Sequence, residues 1–263
     1  MRKIVIGGGA AGLMAAYAAA ESGHEVILFE KNEKLGKKIY ITGKGRCNLT
    51  NDCPPDEFLQ NVVRGEKFLR GAAYRFPAEK TMQFMEAHGL TIKTERGNRV
   101  FPASDRASDV TKTLERACRE RGVEIRLNTE VEKIEVLEGV ARGVIAENQH
   151  LSADCVIIAT GGLSYPSTGC TGDGYRFARE VGHTLVPCVP SLVGIEVKGV
   201  SEAQGISLKN CVLTARRKSV GVNAPAQGKV IFSELGELLF THYGISGPLV
   251  LTLSARINRI AMK

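Results

Sequence analysis

A glycine-rich turn near the N-terminus limits the possible folds of this chain more than any other segment. Residues 7–12 read G-G-G-A-A-G and fit the pattern G-x-G-x-x-G. The turn follows a short apolar run, Lys3–Ile6, and opens an alanine-rich stretch, Ala10–Ser22, before a second apolar run, Glu25–Phe29. The two apolar runs predict buried strands, and the alanine-rich stretch predicts a helix. We therefore predict a βαβ unit whose first turn binds the phosphates of a dinucleotide.

Each glycine of the turn has its own predicted role, and so does a carboxylate that follows it. Gly7 permits the tight bend, Gly9 lets a pyrophosphate approach the backbone, and Gly12 lets the helix lie close to the strand. The phosphates are expected over the helix N-terminus, where N–H groups carry partial positive charge. Glu30 stands eighteen residues after Gly12, at the end of the second predicted strand. Its carboxylate is expected to accept hydrogen bonds from ribose hydroxyls.

The middle of the chain predicts a further helix and a β-hairpin. Ser104 or Asp105 can cap a helix that ends near Arg121. Val131–Leu137 and Ala141–Ala146 alternate around a Glu-Gly turn, which is typical of a hairpin. The expected fold class is α/β, with a Rossmann-like domain that contains a β-meander.

The character of the sequence changes near residue 188, where a domain boundary is expected. Pro187 and Pro190 interrupt the chain, and the apolar segments that follow are short and β-like. The expected domains are a nucleotide-binding domain over residues 1–187 and the start of a β-rich domain over residues 188–263.

The charge of the chain points to an anionic small ligand. The formal net charge is +7, and lysines and arginines are densest between Lys31 and Arg46. Elsewhere the positive residues are interrupted by acids and do not alternate with aromatics, as they do in nucleic-acid-binding surfaces. A pyrophosphate-bearing cofactor accounts for the same run. We expect such a cofactor and no nucleic-acid partner.

The cysteines and the apolar runs bear on the class and the location of the protein. There are seven cysteines and no C-x-x-C pair, so no metal site is expected. No Ser-His-Asp order emerges either, which leaves a hydrolase without support. An odd number of cysteines is typical of reduced thiols, and no apolar run reaches the about 18 residues of a membrane span. A cytoplasmic protein without a membrane partner is expected.

A later segment favours FAD among the dinucleotides. The apolar strand Cys155–Ala159 runs into Thr160, Gly161 and Gly162, and Val131 follows a strand predicted at residues 123–127. This layout resembles that of two-dinucleotide-binding flavoproteins, in which the backbone at the position of Val131 meets the adenine. Because no second G-x-G-x-x-G is present, NAD(P)H is expected to visit transiently as the reductant.

Five further segments narrow the resemblance. Together they extend over almost the whole chain and are much more specific than the glycine turn. They read ITGKGRCNLTN at 41–51, RVFPASDRA at 99–107, GGLSYPSTG at 161–169, TGDGY at 171–175 and LFTHYGISGP at 239–248. With these segments the chain resembles the BaiN-like family of bacterial NAD(P)/FAD-dependent oxidoreductases.

The resemblance implies both a fold and an activity. The fold would be an FAD-binding α/β domain with an inserted β-rich domain. The activity would be hydride transfer from NAD(P)H through FAD to an organic acceptor, and some family members are proposed to act on bile-acid intermediates. The cofactor chemistry would belong to the flavin, and the protein would supply position and electrostatics.

The motifs and the resemblance together indicate the site. The expected cofactor-binding residues are Gly7, Gly9, Ala10, Ala11, Gly12, Glu30, Lys31, Lys38, Gly45, Arg46, Cys47, Asn48, Val131, Ala159, Thr160, Gly161 and Gly162. The catalytic candidates are Arg46, Cys47 and Tyr165. Arg46 would stabilise negative charge on a reduced flavin, or it is a loop arginine in solvent. Tyr165 would stack on the flavin or donate to a substrate, or it is a buried aromatic residue.

Two other functions stay open. Cys47 and Cys53 could form the redox pair of a thiol/disulfide oxidoreductase, although their C-x₅-C spacing departs from the C-x₄-C of such enzymes. The chain could also be a non-catalytic FAD- or nucleotide-binding module.

The chain departs from the family at its end. Family members are longer and return after the inserted domain to a segment that closes over the flavin. This sequence stops at Lys263, before such a segment. The expectation is a fragment, or a chain that retains its cofactor weakly.

Overall fold

The structure is a computed structural model that describes residues 1–217 and 228–261, with side chains described up to residue 258. The chain divides into two compact units, Met1–Leu185 and Val186–Lys263.

The strands are named here in chain order. They are β1 Arg2–Ile6, β2 Glu25–Phe29, β3 Thr50–Asn51, β4 Ile92–Glu95, β5 Arg99–Pro102, β6 Glu124–Arg126, β7 Val131–Leu137, β8 Val140–Ala146, β9 Gln149–Ser152, β10 Cys155–Ile158, β11 Ile195–Glu196, β12 Ser207–Arg216, β13 Val230–Thr241 and β14 Gly244–Ser246.

The helices are named in the same way. They are α1 Ala10–Glu21, α2 Lys37–Ile41, α3 Pro55–Gln60, α4 Glu66–Arg75, α5 Ala78–Ala87, α6 Ala107–Glu120, α7 Asp173–Glu180 and α8 Pro248–Ala261. None of the described helices is both long and apolar enough to cross a lipid bilayer.

A four-stranded parallel sheet organises the first unit, with the strand order β10-β1-β2-β6. β1 lies between its two neighbours, with Ile4 opposite Val156 on one side and Ile27 on the other. Val5 packs on the face that carries α1 and α6, whereas Ile4 packs on the face that carries β7 and β8. Both faces of the sheet are covered, which is why β1 and β2 contain apolar runs over residues 4–6 and 26–29.

Antiparallel sheets complete the unit. β7, β8 and β9 form a meander, and β3, β5 and β4 form a small sheet of their own. The α/β class, the βαβ unit and the β-meander predicted from the sequence are confirmed. β9 was not predicted.

The second unit contains a sheet with the order β11-β14-β13-β12. α8 packs on it through Leu249 and Leu253, which form a small core with Phe232. The sequence predicted β-like segments after residue 188, and the structure has strands there, but α8 was not predicted.

The predicted cap of α6 is wrong. The N-cap residue is Arg106, and its side chain makes no capping hydrogen bond. Ser104 instead donates through Oγ to Asp109 at 2.6 Å, and Asp105 lies in the left-handed region at φ 56°. Asp105 is held there by Lys93, whose Nζ donates to it at 2.6 Å. The helix therefore begins one or two residues later than the sequence suggests.

Candidate functional site

A cavity of about 870 Å³ lies in the first unit and is lined by residues at the carboxyl ends of the parallel strands. Ile6 at the end of β1 and Ile158 at the end of β10 both line it. The chain leaves β1 towards β2 on one side, and β10 lies on the other, so the strand order reverses at β1. In open α/β sheets, ligands bind at this switch point.

The glycines of the first turn have different surroundings. A Cβ added to Gly7 would lie 2.6 Å from the Ala159 carbonyl oxygen, and one added to Gly12 would lie 1.8 Å from the Gly7 oxygen. A Cβ added to Gly9 would meet no atom within 4 Å, and Gly9 lines the cavity. Gly7 and Gly12 thus allow backbones to approach each other, whereas Gly9 leaves space for a ligand.

The N-terminus of α1 offers hydrogen-bond donors to the cavity. Ala10 and Ala11, in its first turn, line the cavity. The helix has no side-chain cap at Gly9 and no acidic residue in its first turn. The N–H groups of a first turn have no acceptor within the helix, and they carry the positive end of the helix dipole. The arrangement suits a phosphate group.

Glu30 lines the same cavity and holds the glycine turn. It is 7% exposed, and its Oε2 accepts from the Gly8 amide at 2.7 Å. Oε1 accepts from the backbone and side-chain nitrogens of Asn32 at 2.8 and 2.6 Å. The carboxylate therefore orders the turn as well as facing the cavity, a role that sequence reasoning missed.

Two lysines were predicted at the site: Lys31 lies after β2 and Lys38 lies in α2, and both donate to residues in α7 or in the segment before it. Lys31 Nζ donates to Asp173 at 2.6 Å and to Thr171 at 2.7 Å. Lys38 Nζ donates to the carbonyl oxygen and the hydroxyl of Ser164 at 2.8 and 3.2 Å. Both lysines line the cavity, and their contacts fix one of its walls.

The loop after α2 brings Cys47 and Asn48 to the cavity. Cys47 is buried and adopts φ 62°. Burial raises the pKa of its thiol, because the thiolate would lose its hydration. The Asn48 amide nitrogen donates to the Thr50 and Val100 carbonyl oxygens at 3.1 and 3.2 Å. Cys53, like Cys47, is a free thiol.

Val131, Ala159, Thr160 and Gly161 also line the cavity, as predicted for a bound cofactor. The Thr160 hydroxyl is buried without a hydrogen-bond partner among the described residues. A buried hydroxyl left in this way costs free energy unless a ligand or water bonds to it. An incoming polar ligand would therefore find an unused group on this wall.

Within the described part of the chain, some predicted residues lie outside the cavity lining: Gly12, Gly45, Arg46, Gly162 and Tyr165. Arg46 pairs with Glu95 at 2.8 Å and Asp105 at 3.3 Å, and its guanidinium lies 4.0 Å from the Phe101 ring centre. Arg46 is therefore not the loop arginine in solvent that the sequence left open. Tyr165 is 64% exposed, so it is not the alternative buried aromatic residue either.

Sequence reasoning missed several lining residues. Met85 of α5 and Val110 and Leu114 of α6 supply apolar surface. Asp173 and Tyr175 come from the start of α7. The TGDGY segment was a signal for the last two, because it places a carboxylate at the first position of a helix next to two glycines.

The strand order and the position of the glycine turn place the protein among the Rossmann-type α/β proteins. The family model described as the HI0933-like protein Rossmann domain matches residues 1–239. The chain belongs to this HI0933-like family, which confirms the resemblance seen in the sequence.

Two relatives show the extent of the similarity. The chain is 38% identical over 261 residues to the 3-dehydro-bile acid delta(4,6)-reductase of Clostridium scindens, covering 97% of this chain and 60% of the relative. It is 31% identical over 259 residues to the ribosomal RNA dihydrouridine synthase of Haemophilus influenzae, covering 95% of this chain and 60% of that protein. The chain thus spans about 60% of the length of these curated relatives.

The fold has solved counterparts as well. The open conformation of a flavocytochrome c3 fumarate reductase matches with a TM-score of 0.58 at 22% identity, covering 79% of this chain and 46% of that one. At this identity the likeness concerns the fold.

Proposed function

We propose that the protein is a flavin-dependent oxidoreductase that binds FAD in the cavity of the first unit. It takes hydride from NAD(P)H and delivers it to an organic acceptor. The observation that carries the proposal is that the open N-terminus of α1, the space above Gly9 and the Glu30 carboxylate all face one cavity. These three features fit a dinucleotide.

Several residues would hold the cofactor. The amides of Ala10 and Ala11 would bind the diphosphate, Glu30 the ribose hydroxyls, and Val131 the adenine. The Thr160 hydroxyl would gain the hydrogen bond that it lacks among the described residues. Bound FAD would supply the acceptance and release of hydride. The apolar side chains Met85, Val110 and Leu114 would keep water from that chemistry.

Titration with FAD tests the cofactor. We expect saturable heat of binding, and absorption peaks at ~375 and ~450 nm that stay with the protein after gel filtration. Gly9→Val should weaken binding at least about tenfold, which corresponds to about 1.4 kcal/mol, because its side chain would occupy the space that Gly9 leaves. Its melting temperature without ligand should fall only slightly, since valine tolerates the φ −78° of Gly9 but is a poorer N-cap residue than glycine. Wild-type protein that registers no heat with FAD would overturn the proposal.

Reduction of the bound flavin by NADH or NADPH tests whether the protein is an enzyme. Loss of the ~450 nm absorbance on adding NADH or NADPH under anaerobic conditions is expected, followed by its return with a suitable acceptor. The acceptor that we propose is an organic molecule with a polarised double bond, since the Clostridium scindens relative is named as a reductase of such a compound. Bound FAD that neither nucleotide reduces would favour the non-catalytic module.

A thiol/disulfide mechanism is the rival within the same class. Such a mechanism needs a reactive thiolate, and the pKa values of both Cys47 and Cys53 are raised, chiefly by burial. We expect Cys47→Ser to retain NADH-driven turnover. If this variant lost turnover but still bound flavin, a redox pair of Cys47 and Cys53 would be favoured.

A second acceptor class is an unpaired base in RNA. The Haemophilus influenzae relative is named a ribosomal RNA dihydrouridine synthase. On α4, Phe68 is 88% exposed and stands between Lys67 and Arg70, a combination of ring and cations that suits single-stranded RNA. If the acceptor is RNA, Phe68→Ala and Arg70→Gln should each weaken binding of a uridine-rich oligonucleotide, and added salt should weaken it further.

A further inference from the structure

A second cavity of about 550 Å³ lies in the first unit, among β3, α3, α4 and α5. Its apolar wall is made by Phe58 of α3, Leu69 and Ala73 of α4, and Phe76 between α4 and α5. Its volume falls within the range of small-molecule pockets, about 300–1,000 Å³.

The two cavities share part of their walls. Asn48, Phe76 and Thr81 line both. A molecule in the second cavity therefore meets these side chains on one side, and a ligand of the first cavity meets them on the other. An acceptor has to lie next to the group that reduces it, and the shared wall is where this chain brings two ligands together.

The second cavity is neutral and mostly apolar. None of its thirteen described lining residues is charged, whereas Glu30, Lys31 and Asp173 line the first cavity. Phe58 and Phe76 are 45% and 47% exposed. Two half-exposed rings on one concave wall leave apolar surface for a ligand to cover. A phosphate or carboxylate would find no cation among the lining residues.

The polar end of this cavity favours a ligand that donates a hydrogen bond. Asn48 donates through its amide nitrogen to Thr50 and Val100, and Asn51 donates to the Gly97 carbonyl oxygen at 2.8 Å. Both amide nitrogens are thus engaged with backbone oxygens. The side-chain oxygen of Asn51 can accept a hydrogen bond from a ligand hydroxyl or N–H group.

We propose that this second cavity is the acceptor pocket, and that it takes a neutral, largely apolar organic molecule carrying a hydroxyl or N–H group. The pocket assignment rests on the proposed flavin function, but the binding of such a molecule does not. Asn48, Phe76 and Thr81 would position the acceptor against the cofactor, and Phe58 and Leu69 would set its size.

Cysteine alkylation can locate the ligand, because a different thiol marks each cavity. Cys47 lines the first cavity and Cys53 the second, while Cys188 is exposed and lines neither. The probe is testosterone, a neutral fused-ring enone with one hydroxyl. At ten times its dissociation constant it should slow alkylation of Cys53 by N-ethylmaleimide about tenfold and leave Cys188 unchanged. FAD should instead slow the alkylation of Cys47.

Two variants and a control test the pocket without relying on turnover. Ala73→Trp should fill the cavity and abolish the protection of Cys53 by testosterone, and Ala73→Leu should weaken it. Gln60→Trp, at an exposed residue of α3 outside the lining, should leave it intact. FAD binding should be the same in all three, which shows that they fold.

The outcomes separate the two proposals. If testosterone protects Cys53 in protein that binds no FAD, the second cavity binds such a molecule, and the proposed flavin function is overturned. FAD binding with no protection of Cys53, or protection that survives Ala73→Trp, would overturn the pocket. Protection by a uridine-containing oligonucleotide but not by testosterone would also overturn it, in favour of RNA.

Discussion

At the scale of single residues, Glu30 shows how one side chain can serve both fold and site. Its two carboxylate oxygens accept from Gly8 and from both nitrogens of Asn32. In Glu30→Gln the amide NH₂ replaces one of these oxygens and faces an N–H donor. Because a buried group left unsatisfied costs about 1–3 kcal/mol, we expect the free energy of unfolding to fall by that amount in urea denaturation.

The matched control is Glu25→Gln at the start of β2, the strand that Glu30 follows. Glu25 pairs with Arg2 at 2.8 Å, but its side chain is 57% exposed. Exposed pairs contribute about 0–1 kcal/mol. Equal losses in the two variants would mean that the hydrogen bonds of Glu30 add nothing to the stability of the turn.

The thiol of Cys47 gives a prediction about pH. Burial raises its pKa, so the protonated form persists to higher pH than in a free cysteine. Only the thiolate reacts with iodoacetamide. The alkylation rate of Cys47, measured by mass spectrometry, should therefore rise with pH later than that of free cysteine. A Cys47 that reacts faster than free cysteine at pH 7 would contradict this and would favour the thiol mechanism.

At the scale of elements, the contact between α1 and β1 depends on the absence of one side chain. A Cβ at residue 12 would lie 1.8 Å from the Gly7 oxygen, so the helix or the turn would have to move. Overpacking of this kind costs about 1–3 kcal/mol or more. Gly12→Ala should lower the free energy of unfolding by at least that amount, measured by urea denaturation.

Gly71 is the control for this substitution. It lies inside α4, and a Cβ there would meet no atom within 4 Å. Alanine stabilises a helix interior by about 0.5–1 kcal/mol relative to glycine. We expect Gly71→Ala to raise the free energy of unfolding and Gly12→Ala to lower it. A Gly12→Ala protein as stable as the wild type would show that the approach of helix to strand can relax.

The elements that the sequence predicted are those with a strong local pattern. β1 and β2 contain apolar runs that are buried, β10 is apolar throughout, and a glycine ends each helix pattern clearly. α4 escaped prediction although Leu69 and Ala73 recur at helical spacing; none of its residues is buried, and Gly71 interrupts the pattern. The start of α6 was misplaced because Ser104 has the chemistry of a cap but bonds to Asp109.

The site was predictable where a motif defines it and not where distant segments meet. Gly9 and Glu30 follow from spacing alone. Val110 and Met85 line the cavity only because α5 and α6 pack beside the sheet, and no local pattern records that. Arg46 is a cation in a suitable loop, yet Glu95 and Asp105 hold it elsewhere. Sequence spacing cannot reveal partners 49 and 59 residues away.

At the scale of the whole molecule, the cavity belongs to one compact unit. Its described lining residues fall between Ile6 and Ala178, within Met1–Leu185. A domain that ends near residue 187 is still a proposal, since a compact unit need not fold independently. The two hydrophobic clusters of the first unit, on opposite faces of its parallel sheet, are the physical basis for expecting that it does.

Truncation tests this division directly. We expect a chain of residues 1–185 to fold, to unfold cooperatively in urea, and to bind FAD within about tenfold of the affinity of the 263-residue chain, because it keeps all described lining residues. Circular dichroism would report folding and calorimetry the affinity. Truncation at residue 165 is the comparison: it removes Thr168, Asp173 and Phe177 from the wall and the partner of Lys31, and FAD binding should be lost. A folded 1–185 chain that binds no FAD, beside a full chain that does, would mean that residues after 185 contribute to the site.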